Sequence, residues 1–405
     1  MISFEEALSL VLSGIVPVLP EEVPLVEGAG RVLREDIVAD LDVPPFDSTA
    51  KDGWAVRSCE TASAPSTLRV SGAIGAGSLP AGPLPRGAAM KVMTGAPLPD
   101  GADAVVPVEK AEEREKGRVT LLESPRPGAH LRRRGEVILS GAPLLRAGRR
   151  LTPADLVLAA TAGRPRLLVS RRLSASVLVT GDEVVPCGER PGPGKIRNTN
   201  GPLLLAALGG AGAVAEDLGR CGDDAARLHE VLGSALDAGP DLLLTTGGVS
   251  AGDYDLVGEV LAGLGCRSVF HKVAMRPAKP VLFARRGETL VFGLPGNPVS
   301  SAVAFDLLVL PAMRALTGAL PAAPEPVDAF LAAPARNGGG RLAFFPARVR
   351  REKGLLLVEP IPTRGSHDVA AHAAASAYVV LPAGSDLAPG DAVRVYLGTE
   401  GTTLG

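Results

Sequence analysis

The hydrophobic pattern changes character along the 405 residues of the chain. From about 44 to 139, short apolar stretches without helical periodicity are cut by glycine and proline, which predicts a mostly β domain. Between Leu173 and Leu316, apolar segments such as "SASVLVTG", "DLLLTTGG" and "TLVFGLPGNP" alternate with helix-like segments such as "GPLLLAALGG". This alternation indicates a parallel sheet that is covered by helices on both faces.

The flanking segments predict two further parts. "SFEEALSLVLSG" and "TPADLVLAATAG" are helix-like; Ser3 and Glu6 are typical of a capping box, and Pro153 suits a first helical position. We expect these two helices to pack together as one helical unit. After Thr317, "AYVVLPAG" and "DAVRVYLG" indicate a small β domain. The predicted domains are a discontinuous helical unit (1–43 and 140–168), an inserted β domain (44–139), an α/β domain (169–317) and a C-terminal β domain (318–405).

Composition narrows the possible partners and the compartment. The formal net charge of −2 gives no electrostatic reason to expect nucleic acid or an anionic membrane as a partner. The four cysteines form no close pairs, which argues against a disulfide framework or a zinc site and favours a reducing compartment. The N-terminal segment lacks a basic lead, and no uninterrupted apolar run is long enough for a membrane span. We therefore expect a cytoplasmic protein.

The turn after "DLLLTT" is the first candidate for chemistry. Gly247 and Gly248 would let backbone N–H groups approach an anion beyond the carboxyl end of a strand, where ligands of open parallel sheets bind. Asp253 and Asp255 follow closely and could hold Mg²⁺ beside a phosphate. A tight turn that ends in an aspartate helix cap explains the same residues, and it is the simpler interpretation of this turn alone.

A second turn and a cationic segment favour a ligand cleft. "FGLPGNPVSS" leaves another strand, with Pro298 suited to start a helix, and "VTGDEV" leaves a third. Lys272, Arg276 and Lys279 lie between the first two turns and suit phosphate or another oxyanion, although an exposed strand edge would also carry such cations. No nucleophile-elbow sequence is present, which argues against acyl transfer. We expect His367 and His372 at the surface.

Six motifs in order resemble one family. "PPFDSTAKDGWAVR", "MTGAPLPDGADAVVPVE", "TGDEV", "TTGGVSAGDYD", "KVAMRPAKP" and "GLPGNPVSS" are similar to the MoeA-type molybdopterin molybdenumtransferases, the gephyrin E-domain family. The resemblance implies that molybdenum from molybdate is inserted into adenylated molybdopterin with release of AMP and with Mg²⁺ as cofactor. It also implies an α/β molybdopterin-binding domain, a C-terminal β-barrel and a homodimer whose subunits share each active site. A molybdopterin adenylyltransferase is the implied pathway partner.

The resemblance assigns roles to residues motif by motif. Catalytic positions are Asp52, Thr94, Glu183, Asp223 and Asp255, of which Glu183, Asp223 and Asp255 are candidate metal ligands. Substrate-binding positions are Gly247, Gly248, Ser250, Lys272, Arg276, Lys279, Pro295, Pro298 and Ser366.

The chain departs from the family pattern at a few positions. Val137 stands where an aspartate is usual, Lys51 where methionine is usual and Trp54 where tyrosine is usual. The loss of a carboxylate at Val137 motivates one alternative function, a non-catalytic molybdopterin carrier or scaffold. A molybdopterin adenylyltransferase is a second alternative, because the two activities share the α/β domain. Consumption of adenylated molybdopterin, its synthesis, or its binding without turnover would distinguish the three functions.

Overall fold

The computed structural model describes residues 1–248 and 256–398. The predicted roles of Ser250, Asp253 and Asp255 therefore lie outside the described residues. The chain forms two compact units. The main unit comprises Met1–Glu35, Ala147–Thr152 and Arg166–Gly405, and the insert unit comprises Asp36–Arg146 and Pro153–Pro165. The four domain boundaries given above stay predictions.

The centre of the main unit is a six-stranded sheet with helices. Its strands are β1 (Ser174–Thr180), β2 (Val214–Cys221), β3 (Leu242–Thr246), β4 (Arg267–Phe270), β5 (Leu282–Arg286) and β6 (Thr289–Leu294). Its helices are α1 (Phe4–Leu12), α2 (Asn200–Gly210), α3 (Ala225–Asp237), α4 (Leu256–Gly263) and α5 (Pro298–Thr317). The strand order is β2-β1-β3-β6-β5-β4.

The expected parallel sheet is parallel in four of its six strands. β2, β1, β3 and β6 are parallel, but β5 pairs antiparallel with both β6 and β4. β5 and β6 form a hairpin in which Arg286 pairs with Thr289, so the connection is the two residues Gly287 and Glu288. A two-residue connection that begins with glycine at positive φ suits a hairpin and excludes a crossover helix.

A closed five-stranded barrel follows the sheet. Its strands are β7 (Val327–Leu331), β8 (Leu342–Glu352), β9 (Leu355–Pro360), β10 (Ala377–Leu381) and β11 (Ala392–Leu397), with a short helix α6 (Val369–Ala373). The order β8-β9-β7-β11-β10 closes because β8 also pairs with β10, which confirms the expected C-terminal β-barrel. Short paired strands complete the unit: Pro20–Pro24 with Arg166–Ser170, Val184–Val185 with Ile196–Arg197, Ala335–Arg336 with Asp386–Leu387, and Met275–Arg276 with β8.

The N-terminal helix α1 belongs to the core of the main unit. The Glu6 N–H donates to Ser3 Oγ at 3.0 Å, as expected for the helix start. Phe4, Ala7 and Val11 are buried, and the Phe4 ring meets Phe344 of β8 edge to face at 4.9 Å. The helix Pro153–Thr161 belongs to the insert unit, whereas α1 belongs to the main unit, and the expected packing of the two helices against each other stays a prediction. Periodicity indicated that each helix buries one face, but not what that face would contact.

The insert unit is built on a second six-stranded sheet, as its interrupted apolar pattern predicts. Its strands in spatial order are Ala104–Pro107, Gly53–Val56, Ala88–Val92, Ser66–Ile74, Arg118–Leu121 and Ala111–Arg114. Two smaller pairings join Ile37–Val38 to Pro143–Leu145 and Ser48–Thr49 to Leu131–Arg132. Trp54 is buried in this unit among apolar neighbours, so the departure from tyrosine there is accommodated by core packing.

Helix α5 is the one helix of the described residues that is long and apolar enough to cross a membrane. It is a core helix, since 83% of the apolar window is buried inside the protein. Its middle turn, Phe305–Val309, has π-helical hydrogen bonding. Pro311 lacks an N–H and would crowd the carbonyl group four residues before it, and a wider turn at this point relieves the conflict.

Asp306, in the π-helical turn, carries a testable pH dependence. Burial raises the pKa of this carboxyl from 3.8 to about 6, although the Tyr378 hydroxyl and the charge of Arg314 act in the opposite direction. The folded protein therefore binds this proton more tightly than the unfolded chain. The associated stability is complete below the unfolded pKa and is lost as pH rises through about 6.

We expect Asp306→Asn to stabilise the protein by about 2 kcal/mol at pH 8 and by almost nothing near pH 4. The amide keeps an acceptor for the Tyr378 hydroxyl but carries no buried charge. Urea unfolding at both pH values measures the difference, with Asp328→Asn at an exposed position of β7 as the control. Equal stabilisation at both pH values would show that the charge of Asp306 is not the cause.

Candidate functional site

A groove of about 420 Å³ lies between the α/β part and the barrel of the main unit. Its α/β wall is the segment from Arg276 to Pro280 together with Pro295, Asn297, Val299 and Ser300. Its barrel wall comprises Arg341, Phe344, Phe345, Pro346, Thr363, Gly365, Ser366 and His367. Four residues that were predicted to bind substrate therefore come together here: Arg276, Lys279, Pro295 and Ser366.

The lining of the groove is cationic. Arg276, Lys279 and Arg341 all line it, and no acidic side chain does among the described residues. The Arg276 guanidinium lies over the Phe345 ring, with 5.8 Å from Cζ to the ring centroid, which holds the cation near one wall. A groove with three cations and no compensating carboxylate among its described lining residues is suited to an anion.

The second predicted turn forms one end of the groove. Helix α5 begins at Pro298, as its sequence predicts, with Asn297 at the N-cap position. Asn297 Nδ2 donates to Ser366 Oγ at 2.9 Å, so the turn after β6 and the barrel loop meet directly. Pro298 itself does not line the groove; it fixes the first turn of the helix.

Two residues that sequence reasoning missed hold the barrel wall. Arg341 Nη1 donates to the Met275 carbonyl at 3.0 Å, next to Arg276. Asn337 is fully buried, and its Nδ2 donates to the carbonyls of Arg341 at 2.8 Å and Pro382 at 2.9 Å. The signal was "RNGGGRLAFF", a glycine-rich loop between an asparagine and an arginine, but nothing local links it to the α/β domain.

The glycines after β3 are required by close packing. A Cβ on Gly247 would lie 2.6 Å from the Thr180 carbonyl oxygen, and one on Gly248 would lie 2.7 Å from Val257 Cγ2. Both glycines also have positive φ. The Gly247 N–H donates to the Leu294 carbonyl at 3.1 Å. Gly247 therefore shapes the turn, and the expectation that its N–H is free to bind an anion is wrong.

Asn200 joins the ends of the central strands. Its Nδ2 donates to Thr246 Oγ1 at 2.6 Å and to the Gly296 carbonyl at 2.8 Å. A Cβ on Gly296 would lie 3.8 Å from the Gly247 Cα. The turns after β3 and β6 are therefore neighbours at the carboxyl edge of the sheet, where the topology predicts a ligand.

Carboxylates collect at the neighbouring strand ends. Glu183 and Asp223 are exposed after β1 and β2, respectively. Asp182, which was not singled out from the sequence, accepts the Asp223 N–H at 3.2 Å through Oδ1 and so connects the two turns. Lys195 Nζ donates to the Asp182 carbonyl at 2.6 Å. The described residues contain no group of three or more histidine, cysteine or acidic side chains that could hold a metal.

In the insert unit the predicted pair Asp52 and Thr94 is in direct contact. Asp52 Oδ1 accepts the Thr94 N–H at 2.6 Å and the Thr94 hydroxyl at 2.7 Å. These two hydrogen bonds lower the pKa of the Asp52 carboxyl. The next position, Gly53, has to be glycine, because a Cβ there would lie 2.2 Å from the Val106 carbonyl oxygen. Asp52 is therefore an exposed carboxylate that is held in one orientation and kept ionised.

Val137, which stands where the family usually has an aspartate, lies on an exposed loop of the insert unit. Its side chain is 69% exposed, and its N–H donates to the Val43 carbonyl at 3.0 Å. The adjacent arginines are already paired: Arg133 with Asp47 and Arg134 with Asp42, each at 2.6 Å. The Ser140 N–H lowers the pKa of Asp42 and the Arg134 N–H lowers that of Asp47, and the arginine side chains add to both effects. The loop keeps its geometry without a carboxylate at Val137.

Two other predicted positions differ from expectation. Lys272 does not line the groove; its carbonyl accepts the Ile2 N–H at 3.2 Å beside α1. His367 is exposed, as expected, but it lines the groove. His372 is half-buried: its ring stacks on Tyr378 with centroids 6.0 Å apart, and burial lowers its pKa.

Comparison with known protein families identifies the class. The MoeA N-terminal region (domain I and II) matches residues 2–163, a probable molybdopterin binding domain matches residues 176–315, and the MoeA C-terminal region (domain IV) matches residues 328–397. A parallel-centred α/β domain with an anion-suited groove, followed by a barrel, fits this arrangement. The fold and site define a multidomain protein of molybdenum cofactor biosynthesis.

Full-length relatives narrow the class to one family. The molybdopterin molybdenumtransferase of Synechococcus elongatus is 37% identical over 98% of this chain and 99% of that protein. The Bacillus subtilis enzyme of the same name is 36% identical over 90% of this chain and 86% of that protein. The crystal structure of the molybdopterin biosynthesis MoeA protein from Pyrococcus horikosii superposes with a TM-score of 0.79 at 32% identity, covering 98% of this chain and 99% of that one.

The chain belongs to the MoeA family of molybdopterin molybdenumtransferases. The expected family, the multidomain fold and a transferase role in molybdenum cofactor biosynthesis are thereby confirmed. The catalytic, substrate-binding and metal-binding roles of individual residues stay predictions.

Proposed function

We propose that the chain inserts molybdenum from molybdate into adenylated molybdopterin and releases AMP. The observation that carries the proposal is the groove with Arg276, Lys279 and Arg341 and without an acidic side chain among its described lining residues. Molybdate is a dianion, and adenylated molybdopterin carries a pyrophosphate. Both need cationic partners, and the groove offers these at the edge of the sheet where α/β folds bind ligands.

The groove residues interact with the substrates through different chemical groups. Arg341 and Arg276 hold oxyanion oxygens through planar N–H donors, and Lys279 adds a point charge. Ser366 and Asn297, bonded to each other at 2.9 Å, present a hydroxyl and an amide at the end of the groove. These donors offset the negative charge that builds up as water attacks the phosphoanhydride and AMP leaves.

The carboxylates after β1 and β2 suit a hard cation. Mg²⁺ binds through one or two carboxylates plus water and substrate phosphates, so a site of this kind does not require three protein ligands. Asp223, together with Asp182 or Glu183 from the adjacent turn, offers carboxylate oxygens of this kind and would hold it. Bound there, Mg²⁺ supplies charge neutralisation at the phosphates. Asp255 completes this proposed set from outside the described residues.

Asp52 is the proposed carboxylate of the insert unit that acts on the substrate. Two hydrogen bonds from Thr94 keep it ionised and oriented, as a proton acceptor or positioning group for the attacking oxygen requires. We further propose a cytoplasmic homodimer in which each site combines Asp52 of one subunit with the groove of the other. The family resemblance supports the shared site, and cysteine usage supports the compartment.

The decisive experiment is turnover of purified protein with adenylated molybdopterin, molybdate and Mg²⁺, followed by AMP release and cofactor formation. We expect both products, and we expect AMP release to cease when the cation is chelated. Binding without AMP release would support the carrier function. Synthesis of adenylated molybdopterin from molybdopterin and ATP would support the adenylyltransferase function.

Val137→Asp tests whether the missing carboxylate matters. Because the Val137 side chain is exposed and its loop is already held by the Arg133 and Arg134 ion pairs, we expect the substitution to change the turnover rate by less than about threefold. Asp52→Ala serves as the inactive reference. A wild-type protein as inactive as this reference, with activity gained by Val137→Asp, would instead show that the natural chain is not a competent transferase.

A further inference from the structure

One partly buried polar pair lies outside the proposed mechanism. The Tyr378 hydroxyl donates to Asp306 Oδ2 at 2.7 Å. Asp306 belongs to helix α5 of the α/β part, and Tyr378 belongs to strand β10 of the barrel. The pair therefore joins the two parts of the main unit that form the walls of the groove.

On the α/β side, the pair and the groove share one rigid element. Val299 and Ser300, in the first turn of α5, line the groove. Asp306 follows Ser300 by six residues on the same helix, which is a rise of about 9 Å. A shift of Asp306 relative to the barrel therefore moves the first turn of the helix with it.

On the barrel side, the connection is one strand pairing. Tyr378 lies directly opposite Pro346 in the antiparallel pairing of β10 with β8. Pro346 and its neighbours Phe345 and Phe344 line the groove. The hydrogen bond from the Tyr378 hydroxyl to Asp306 thus links the two groove walls at a point outside the groove itself.

Packing around the pair is incomplete. A cavity of about 290 Å³ adjoins it, lined mostly by small side chains and by His372, whose ring stacks on Tyr378. No lysine or arginine lines this cavity among the described residues. The charged group that acts on Asp306 is Arg314 of the same helix, which is itself influenced by Arg150. Helix α5 and strand β10 share one apolar core, but the cavity leaves this part of their contact unfilled, and the hydrogen bond is the directional contact that holds their separation here.

We propose that Asp306 and Tyr378 are positioning residues that hold the two walls of the groove at the separation that oxyanion binding requires. That the pair holds the two walls together follows from the hydrogen bond and the strand pairing, whereas the effect on oxyanion affinity rests on the proposed function of the groove. Neither residue touches the groove, so both act through Pro346 and the first turn of α5.

The first test follows the walls directly. Hydrogen–deuterium exchange of the segment 363–367 is compared in wild type, Tyr378→Phe and Tyr396→Phe. Tyr396 is the matched control because it lies opposite Tyr378 in β11 and packs on Phe4 and Phe344. We expect exchange at least about fivefold faster in Tyr378→Phe, and wild-type rates in Tyr396→Phe, since only the former removes a bond between the walls. Unchanged exchange in a folded Tyr378→Phe protein overturns the proposal.

The second test measures molybdate affinity by calorimetry. We expect about tenfold weaker binding for Tyr378→Phe and for Asp306→Ala, but a change of less than about twofold for Asp306→Asn, which keeps an acceptor for the hydroxyl. Rescue by asparagine separates a held geometry from a general loss of stability. If wild type binds no molybdate while exchange in Tyr378→Phe is faster, the proposed function fails and the positional role stands. Wild-type affinity in Tyr378→Phe overturns the coupling to the groove.

Discussion

Replacing Arg341 with alanine should weaken molybdate binding by about 30- to 100-fold, because a bidentate, charge-assisted donor is lost from a groove with only two other cations among its described lining residues. The substitution also removes the hydrogen bond from Arg341 Nη1 to the Met275 carbonyl, which holds the barrel loop beside Arg276. Isothermal titration calorimetry with molybdate measures the loss. The affinity of wild type should fall with added salt, and that of the variant should fall less steeply.

Two further variants separate charge from geometry at this position. Arg341→Lys keeps the charge but not the planar pair of donors, so we expect an intermediate affinity. Arg336→Ala is the matched control: Arg336 lies in the short strand just before this loop, is 76% exposed, and contacts Asp386 at 3.8 Å. Undiminished binding by Arg341→Ala would show that the oxyanion lies elsewhere.

Replacing Asp52 with asparagine should lower turnover by about 1,000-fold while the insert unit stays folded, since the carboxylate is exposed and is proposed to act on the substrate. Asparagine can still accept from Thr94, so the local structure is kept and only the charge is lost. Asp100→Asn, at another exposed aspartate of the same unit, is the control. Near-normal turnover in Asp52→Asn would remove this residue from the mechanism.

Thr94→Val gives the same site a pH signature. The two Thr94 hydrogen bonds lower the pKa of Asp52, so the wild-type carboxylate stays ionised further into the acidic range. Without the hydroxyl bond that pKa should rise, and the acidic limb of the pH–rate profile should move to higher pH. An unchanged acidic limb would mean that another group controls it.

Complementation between variants tests the shared site. In a mixed dimer of Asp52→Ala and Arg341→Ala subunits, one of the two sites keeps both groups if each site draws on two subunits. At a molybdate concentration too low to saturate Arg341→Ala, we therefore expect the mixture to be more active than either variant alone. Dimers that are shown to be mixed but are no more active than either variant would argue for sites made within one subunit.

The sequence predicted the elements that depend on local pattern. The apolar strands Ser174–Thr180, Leu242–Thr246 and Thr289–Leu294 and the helix start at Pro298 lie where alternation and turn chemistry indicate. The carboxyl-end rule then brought the turns after β3 and β6 together correctly, and the structure joins them through Asn200.

The missed features depend on contacts between distant segments. Arg341 reaches Met275 across more than sixty residues of chain, and no periodicity reports such a distance. Asp182 was overlooked because its importance comes from the Asp223 N–H of another strand end. The apolar face of α1 was evident, but its partner Phe344 lies in the barrel. Local patterns specify which face is buried, whereas the partner is decided by the assembled fold.

The division of the chain into interleaved segments has a consequence for synthesis on the ribosome. The insert unit occupies Asp36–Arg146 and Pro153–Pro165, so all of its strands have emerged before most of the main unit is made. Helix α1 is translated first, yet its aromatic partner in the barrel is Phe344. We expect the insert unit to fold during translation. The apolar face of the N-terminal helix stays uncovered until the barrel has been synthesised, so we expect chaperones to bind that face of the nascent chain.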